Sequence, residues 1–166
     1  MTSAPFWPEY DPEIDTFLGE HLRTIFFSLR PDGSPTGHPM SAFYGPDGLF
    51  FNTYTKSVKV RNITRDARVA CLVTASGEEA EERGVIVHGK VRFVPIDEEV
   101  RDPARDGLAQ ARVATPNVAG LDEADPEESE RRRARVAQRV IEGKRQVFEV
   151  VPAEAIMVVA EAREDS

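Results

Sequence analysis

The chain has 166 residues, a formal net charge of -8 and one cysteine, Cys71. A chain of this length can bury a core without disulfides or metals, and one cysteine cannot form an intramolecular disulfide. The acidic balance argues against general nucleic-acid binding, and no apolar run approaches the ~20 residues needed to span a membrane.

The N-terminal stretch to Ile14 has neither a basic region nor an apolar one, so it does not read as a signal peptide. A cytoplasmic protein is expected. Residues 1–10 read as an arm. Asp11 followed by Pro12 gives a helix N-cap and a proline at the first helical position. Ile14, Phe17, Leu18 and Leu22 continue at helical spacing, which predicts a helix over about 12–22. Thr24 to Leu29 is rich in strand formers. Pro31-Asp32-Gly33-Ser34-Pro35 is a turn, because proline presets φ and glycine supplies positive φ. A second strand is expected from about Thr36 to Tyr44, then a turn at Pro46-Asp47-Gly48, then a third strand from Gly48 to Thr53. Two tight turns joining three strands predict an antiparallel meander.

Ser57 to Arg65 reads as a short helix, with Ser57 as N-cap and Val60 and Ile63 as its apolar face. Val69 to Thr74 shows no alternation, so it reads as a strand buried on both faces. Cys71 lies inside it and is read as a small packed hydrophobe rather than a nucleophile. The stretch after it, to Gly84, is a solvated link. Val85 to Val94 alternates. Val85, Val87, Gly89, Val91 and Phe93 fall on one side, and His88 and Lys90 on the other. Segment 97–143 is charged and sparse in apolar residues. Helices are expected near 97–113 and 126–142, around a loop at Pro116 to Gly120. The segment reads as a largely helical insertion within a single domain of residues 1–166. Two last strands, Arg145–Val151 and Ala155–Ala160, are expected, broken apart by Pro152. The tally is six or seven strands and three or four helices. Such a sheet buries its apolar strands best by closing into a barrel, with helices over the openings.

Between Phe50 and Val73 the acidic chain gathers Lys56, Lys59, Arg61, Arg65 and Arg68 around one acid, Asp66. Thr53, Thr55 and Ser57 add hydroxyls, and Asn62 an amide. They lie where a strand ends and a helix begins. A helix start offers unpaired N–H groups and partial positive charge, which suit a phosphate. The same residues also fit an ordinary solvated turn. There is no glycine from Asn52 to Lys59, so neither a Walker-type nor a dinucleotide-type loop applies. His21, His38 and His88 are far apart and show no metal-ligand spacing. No Gly-x-Ser-x-Gly elbow marks a hydrolase.

The order Pro31-Asp32-Gly33-Ser34-Pro35, Leu49 to Thr53, Lys59-Val60-Arg61-Asn62-Ile63 and Arg65-Asp66-Ala67-Arg68-Val69 resembles the flavin and deazaflavin oxidoreductases related to pyridoxamine 5′-phosphate oxidase. The closing segment Gln146 to Val158 is similar to that family's last two strands. The resemblance implies an antiparallel split β-barrel. It implies that Thr53, Ser57 and Lys59 hold a cofactor phosphate, with Lys56 and Asn62 beside it. It places His38, Met40 and Ser41 along the ring system, and leaves Arg65 and Arg68 to frame the turn around Asp66. The cofactor implied is FMN or the deazaflavin coenzyme F420, and the partner a second copy of the chain in a homodimer. The activity implied is hydride transfer between the bound ring and a small organic acceptor. No side-chain catalytic residue is assigned, since the ring would carry the chemistry. A non-catalytic flavin- or deazaflavin-binding sensor on the same fold is the alternative.

Overall fold

A computed structural model describes residues 11–45, 48–75, 83–94 and 125–159. These segments contain α1 (Pro12–Glu20), β1 (Arg23–Leu29), β2 (Pro35–Ser41), β3 (Phe43–Gly45), β4 (Gly48–Tyr54), α2 (Val58–Arg65), β5 (Arg68–Thr74), β6 (Arg83–Phe93), α3 (Pro126–Ile141) and β7 (Arg145–Val159). The arm 1–10, the expected helix near 97–113 and the loop around Pro116 lie outside the described residues. The strands form one sheet in the order β2-β1-β5-β6-β7-β4-β3, antiparallel throughout. The expected antiparallel barrel-like sheet with helices against it is therefore present.

The two edge strands, β2 and β3, are separated in the chain by Ala42 alone. One residue spans only ~3.5 Å. The sheet must therefore curl until its two edges nearly meet. Ala42 is 1% exposed, and its N–H donates to the Leu22 carbonyl at 2.8 Å. This corrects the expected meander. The stretch from Pro35 to Gly45 is not one strand between two others. It turns a corner at Ala42 and passes its hydrogen bonds from β1 to β4.

Inside the curl, Phe26, Phe51 and Phe148 are fully buried, with ring centroids 5.4–5.5 Å apart. Tilted and stacked rings at this spacing attract beyond their buried area. Ile14, Phe17 and Leu18 of α1 close onto the same core. The Asp11 side chain accepts from the N–H groups of Glu13 and Ile14, as an N-cap should. Helix α3 packs separately, on the outer face of the sheet, where Ala137 and Val140 meet Phe50 and Val147.

Two strand expectations need correction. Strand β5 does alternate: Val69, Cys71 and Val73 are buried, whereas Ala70 and Leu72 are only partly covered. Side-chain identity hid this, because both faces are apolar. Strand β7 also runs unbroken through Pro152. A bulge between His88 and Gly89 shifts the register there, opposite Pro152. The ladder can absorb a residue without an N–H at such an irregularity.

Gly89 is required by this bulge. A Cβ there would lie 2.3 Å from the Val151 carbonyl oxygen. Gly89→Ala should lower stability by about 1–3 kcal/mol in chemical denaturation. Gly19→Ala, in helix α1 with nothing within 4 Å of its added Cβ, should be neutral or stabilising. Equal midpoints for the two variants would refute the role given to Gly89. Cys71 is fully buried, and burial pushes its thiol well up from the usual range. It should resist alkylation in the native protein and react only on unfolding, as mass spectrometry would show.

Candidate functional site: a cationic pocket between sheet and helix

A pocket of about 680 Å³ opens where β1, β2, β4, β7, α2 and α3 converge. Ring-bearing ligands occupy sites of about 300–1,000 Å³. Lys59 enters from the first turn of α2, Met40 and Ser41 from the end of β2, and Thr53 from β4. These four were among the residues singled out in the sequence, and the fold brings them into the lining of one pocket. Arg23 and Arg145 were not singled out, yet they also line the pocket. Among the described residues that line it there is no carboxylate, and none of Arg23, Lys59 and Arg145 has an ion-pair partner. The described lining of this pocket is thus cationic although the chain as a whole is acidic.

Helix α2 begins as expected. The Ser57 hydroxyl accepts from the Val60 N–H at 3.3 Å, and the Ser57 carbonyl accepts from Arg61 N–H. The amides of Val58 and Lys59 are then the ones without an intrahelical acceptor. Of the remaining named residues, Ser57, Lys56, His38 and Asn62 are not part of the pocket lining. Lys56 is exposed. Thr55 is tied elsewhere, its hydroxyl donating to the Gly143 carbonyl at 2.7 Å. Asn62 is 3% exposed; its Nδ2 donates to Ser28 Oγ at 3.1 Å and its Oδ1 accepts from Arg65. It fastens α2 to β1. Arg68 pairs with Asp66 and holds that carboxyl down at about 2, chiefly by hydrogen bonding. Arg65 instead turns back to the Leu29 carbonyl.

His38 lies on β2 opposite Phe26. Burial lowers its pKa from the ordinary imidazole range, and the nearby cations Lys59 and Arg30 lower it further. Its buried Nε2 has no hydrogen-bond partner among the described residues. A neutral imidazole therefore flanks the Lys59 end of the pocket.

The other wall was hidden from the sequence. Arg145 pairs with Tyr54 across β4 and β7. Its Nε donates to Asn52 Oδ1 at 2.7 Å, and its guanidinium lies 4.5 Å from the Tyr54 ring centroid. From α3, Val136 and Arg132 reach the pocket, and Arg139 donates to the Tyr54 hydroxyl at 3.3 Å. Arg145 and Tyr54 are 91 positions apart (145 − 54), so only the strand register could reveal the cluster. The described part of the charged 97–143 segment is thus a pocket wall.

A curled antiparallel sheet with a positively charged pocket at its rim defines the class of protein. The sequence profile of the pyridoxamine 5′-phosphate oxidase family matches residues 10–159, and the chain belongs to that family. A conserved hypothetical protein of Mycobacterium tuberculosis has a similar structure, with a TM-score of 0.60 and 20% identity over 96% of this chain and 90% of that one. An F420 reductase is similar with a TM-score of 0.55 and 22% identity, over 90% of this chain and 98% of that one. The heme storage protein HutZ of Vibrio cholerae is similar with a TM-score of 0.59 and 16% identity, over 90% and 93%. The fold is therefore shared by proteins with different tasks. No curated protein matches the chain by sequence. Among the described residues no helix is long and apolar enough to cross a membrane, and no group of three or more His, Cys, Asp or Glu could hold a metal ion.

Asn62→Ala would leave the Ser28 hydroxyl buried without its partner and should cost about 1–3 kcal/mol. Urea denaturation of the variant measures this. A midpoint equal to the parent's would show that the Asn62–Ser28 bond does not hold α2 in place.

Proposed function

We propose that the protein is an oxidoreductase that binds FMN or the deazaflavin coenzyme F420 and moves a hydride between the bound ring and a small organic acceptor. The observation that carries this reading is a pocket of ligand size in an acidic chain of this family, lined by Arg23, Lys59 and Arg145, which have no ion-pair partner among the described residues. The donor set fits a phosphate. Lys59 supplies an ammonium group, the first turn of α2 free amides, and Thr53 a hydroxyl, with Ser57 and Lys56 next to them in the chain. Met40 and Ser41 supply a wall against which a flat ring can lie, and neutral His38 stands behind it. When bound, the ring system supplies the hydride chemistry. The protein's own residues then have three tasks: they anchor the phosphate, orient the ring by packing, and exclude water beneath α3. Among the described residues that line the pocket none is a carboxylate, thiol or histidine, which accords with chemistry held by a cofactor.

The partner in this reading is a second copy of the chain. On the outer face of the sheet, Pro39, Ile25, Leu72, Ile86 and Ile156 stand in one register row across five strands. Ile156 is 43% exposed, and Val158, on the same face, 39%. A continuous apolar row is an unusual surface for a monomer. His88, in the next row between Ala70 and Glu154, and Lys90 lie on this face too. Ile156→Glu should convert a dimer to a monomer in light scattering. A monomeric parent protein would remove this part of the proposal.

The direct test is titration of the purified protein with FMN and with F420, followed by turnover of the reduced complex with acceptors. Binding of neither sinks the proposal; tight binding without any turnover would favour the non-catalytic sensor. Lys59→Ala should weaken cofactor binding by about 1.5–3 kcal/mol, with little change in stability, because a charge-assisted phosphate contact is lost. Unchanged affinity in calorimetry would remove Lys59 from the site.

A further inference from the structure

The pocket has more positive charge than one phosphate requires, and the charge is divided. At one end, Lys59 and Arg30 act on His38. At the other, the groups acting on Arg145 are Tyr54 and Arg139. Lys59 comes from the first turn of α2 and Arg145 from the start of β7, so different elements carry them. Arg145 also differs from a surface arginine. It is half-buried, it lines the pocket, and its described partners are neutral: the Asn52 amide oxygen and the Tyr54 ring. Burying a guanidinium without a carboxylate is costly unless another anion compensates it. The Asn52 bond takes the Nε–H, and the ring fixes the plane. Tyr54 also acts on the guanidinium through its side chain, but no terminal nitrogen has a carboxylate partner among the described residues, so the group keeps donors in the planar fork geometry that matches a carboxylate.

We propose that Arg145, held by Asn52 and Tyr54, is a second anion-recognition residue that pairs with a carboxylate of the ligand, apart from the phosphate end at Lys59. This rests on the oxidoreductase reading for the identity of the ligand but not for the existence of the subsite. The carboxylate belongs either to the cofactor or to the acceptor. FMN carries a phosphate alone, whereas F420 carries carboxylates beyond its phosphate, so the two separate these sources.

The test compares the full-length parent with Arg145→Gln and Arg145→Lys. A carboxylate on the cofactor predicts that Arg145→Gln weakens F420 binding by about tenfold or more and FMN binding by less than about threefold. A carboxylate on the acceptor predicts unchanged affinity for both cofactors, with KM raised about tenfold for an artificial enone acid but not for its methyl ester. Arg145→Lys should recover only part of either effect, because it keeps the charge and loses the fork. If no affinity and no KM moves, or if F420 and FMN affinities fall together with the melting temperature, the proposal is overturned. Should the parent bind neither cofactor, the oxidoreductase reading fails alone, and citrate serves as a ring-free probe. Citrate should then raise the melting temperature of the parent and not of Arg145→Gln; an equal rise in both overturns the subsite.

Discussion

The corner at Ala42 is the constraint on which the rest of the structure depends. Strands β2 and β3 are opposite edges of one sheet, and a single buried residue joins them. That link compels curling, and curling makes an interior. Phe51 and Phe148 face each other on the neighbouring strands β4 and β7, and Phe26 comes from β1, which a flat sheet would hold apart from β7 by the two intervening strands β5 and β6. The same link brings the end of β2 to β4, so that Met40 and Ser41 border the pocket with Thr53. Core and site therefore share one cause.

Charge is sorted by a second rule. Most arginines outside the pocket have a local acceptor. Arg68 has Asp66, Arg83 has Glu13, Arg92 has the buried Glu149, and Arg131 and Arg135 have Glu127 and Glu128 on their own helix. Exposed pairs of this kind add little stability each, but they cancel charge. Arg23, Lys59 and Arg145, at the pocket, have no such partner among the described residues. The described lining there is cationic although the chain is acidic, and the paired charges elsewhere largely neutralise one another within a short distance.

The cluster of cations between Phe50 and Val73 looked uniform in the sequence, and the structure divides it. Lys59 enters the pocket, Lys56 faces solvent, Arg65 and Arg68 serve the backbone around α2, and Asn62 fastens that helix to β1. The helix itself was legible, since Ser57 as cap and Val60 and Ile63 as apolar face are local signals. The role of each charge was not. It depends on which way a residue points once the helix has docked.

The sequence alone determined what is encoded over short distances. Proline, glycine and serine fixed the turns and caps, alternation fixed β6, and apolar content fixed a curled antiparallel sheet with helices against it. It also placed Lys59, Thr53, Met40 and Ser41 as candidates, through motifs each only a few residues long. The tertiary structure decided everything that depends on register between distant segments. It split one expected strand at Ala42, carried β7 through Pro152, and set Arg145 against Asn52 and Tyr54. It also turned the second half of a charged segment into a pocket wall, through Ala137 and Val140. Local patterns report how a residue behaves within its own turn or strand. Pairing across some ninety residues is settled by burial and hydrogen bonding over the whole sheet, and no short stretch of chain contains that information.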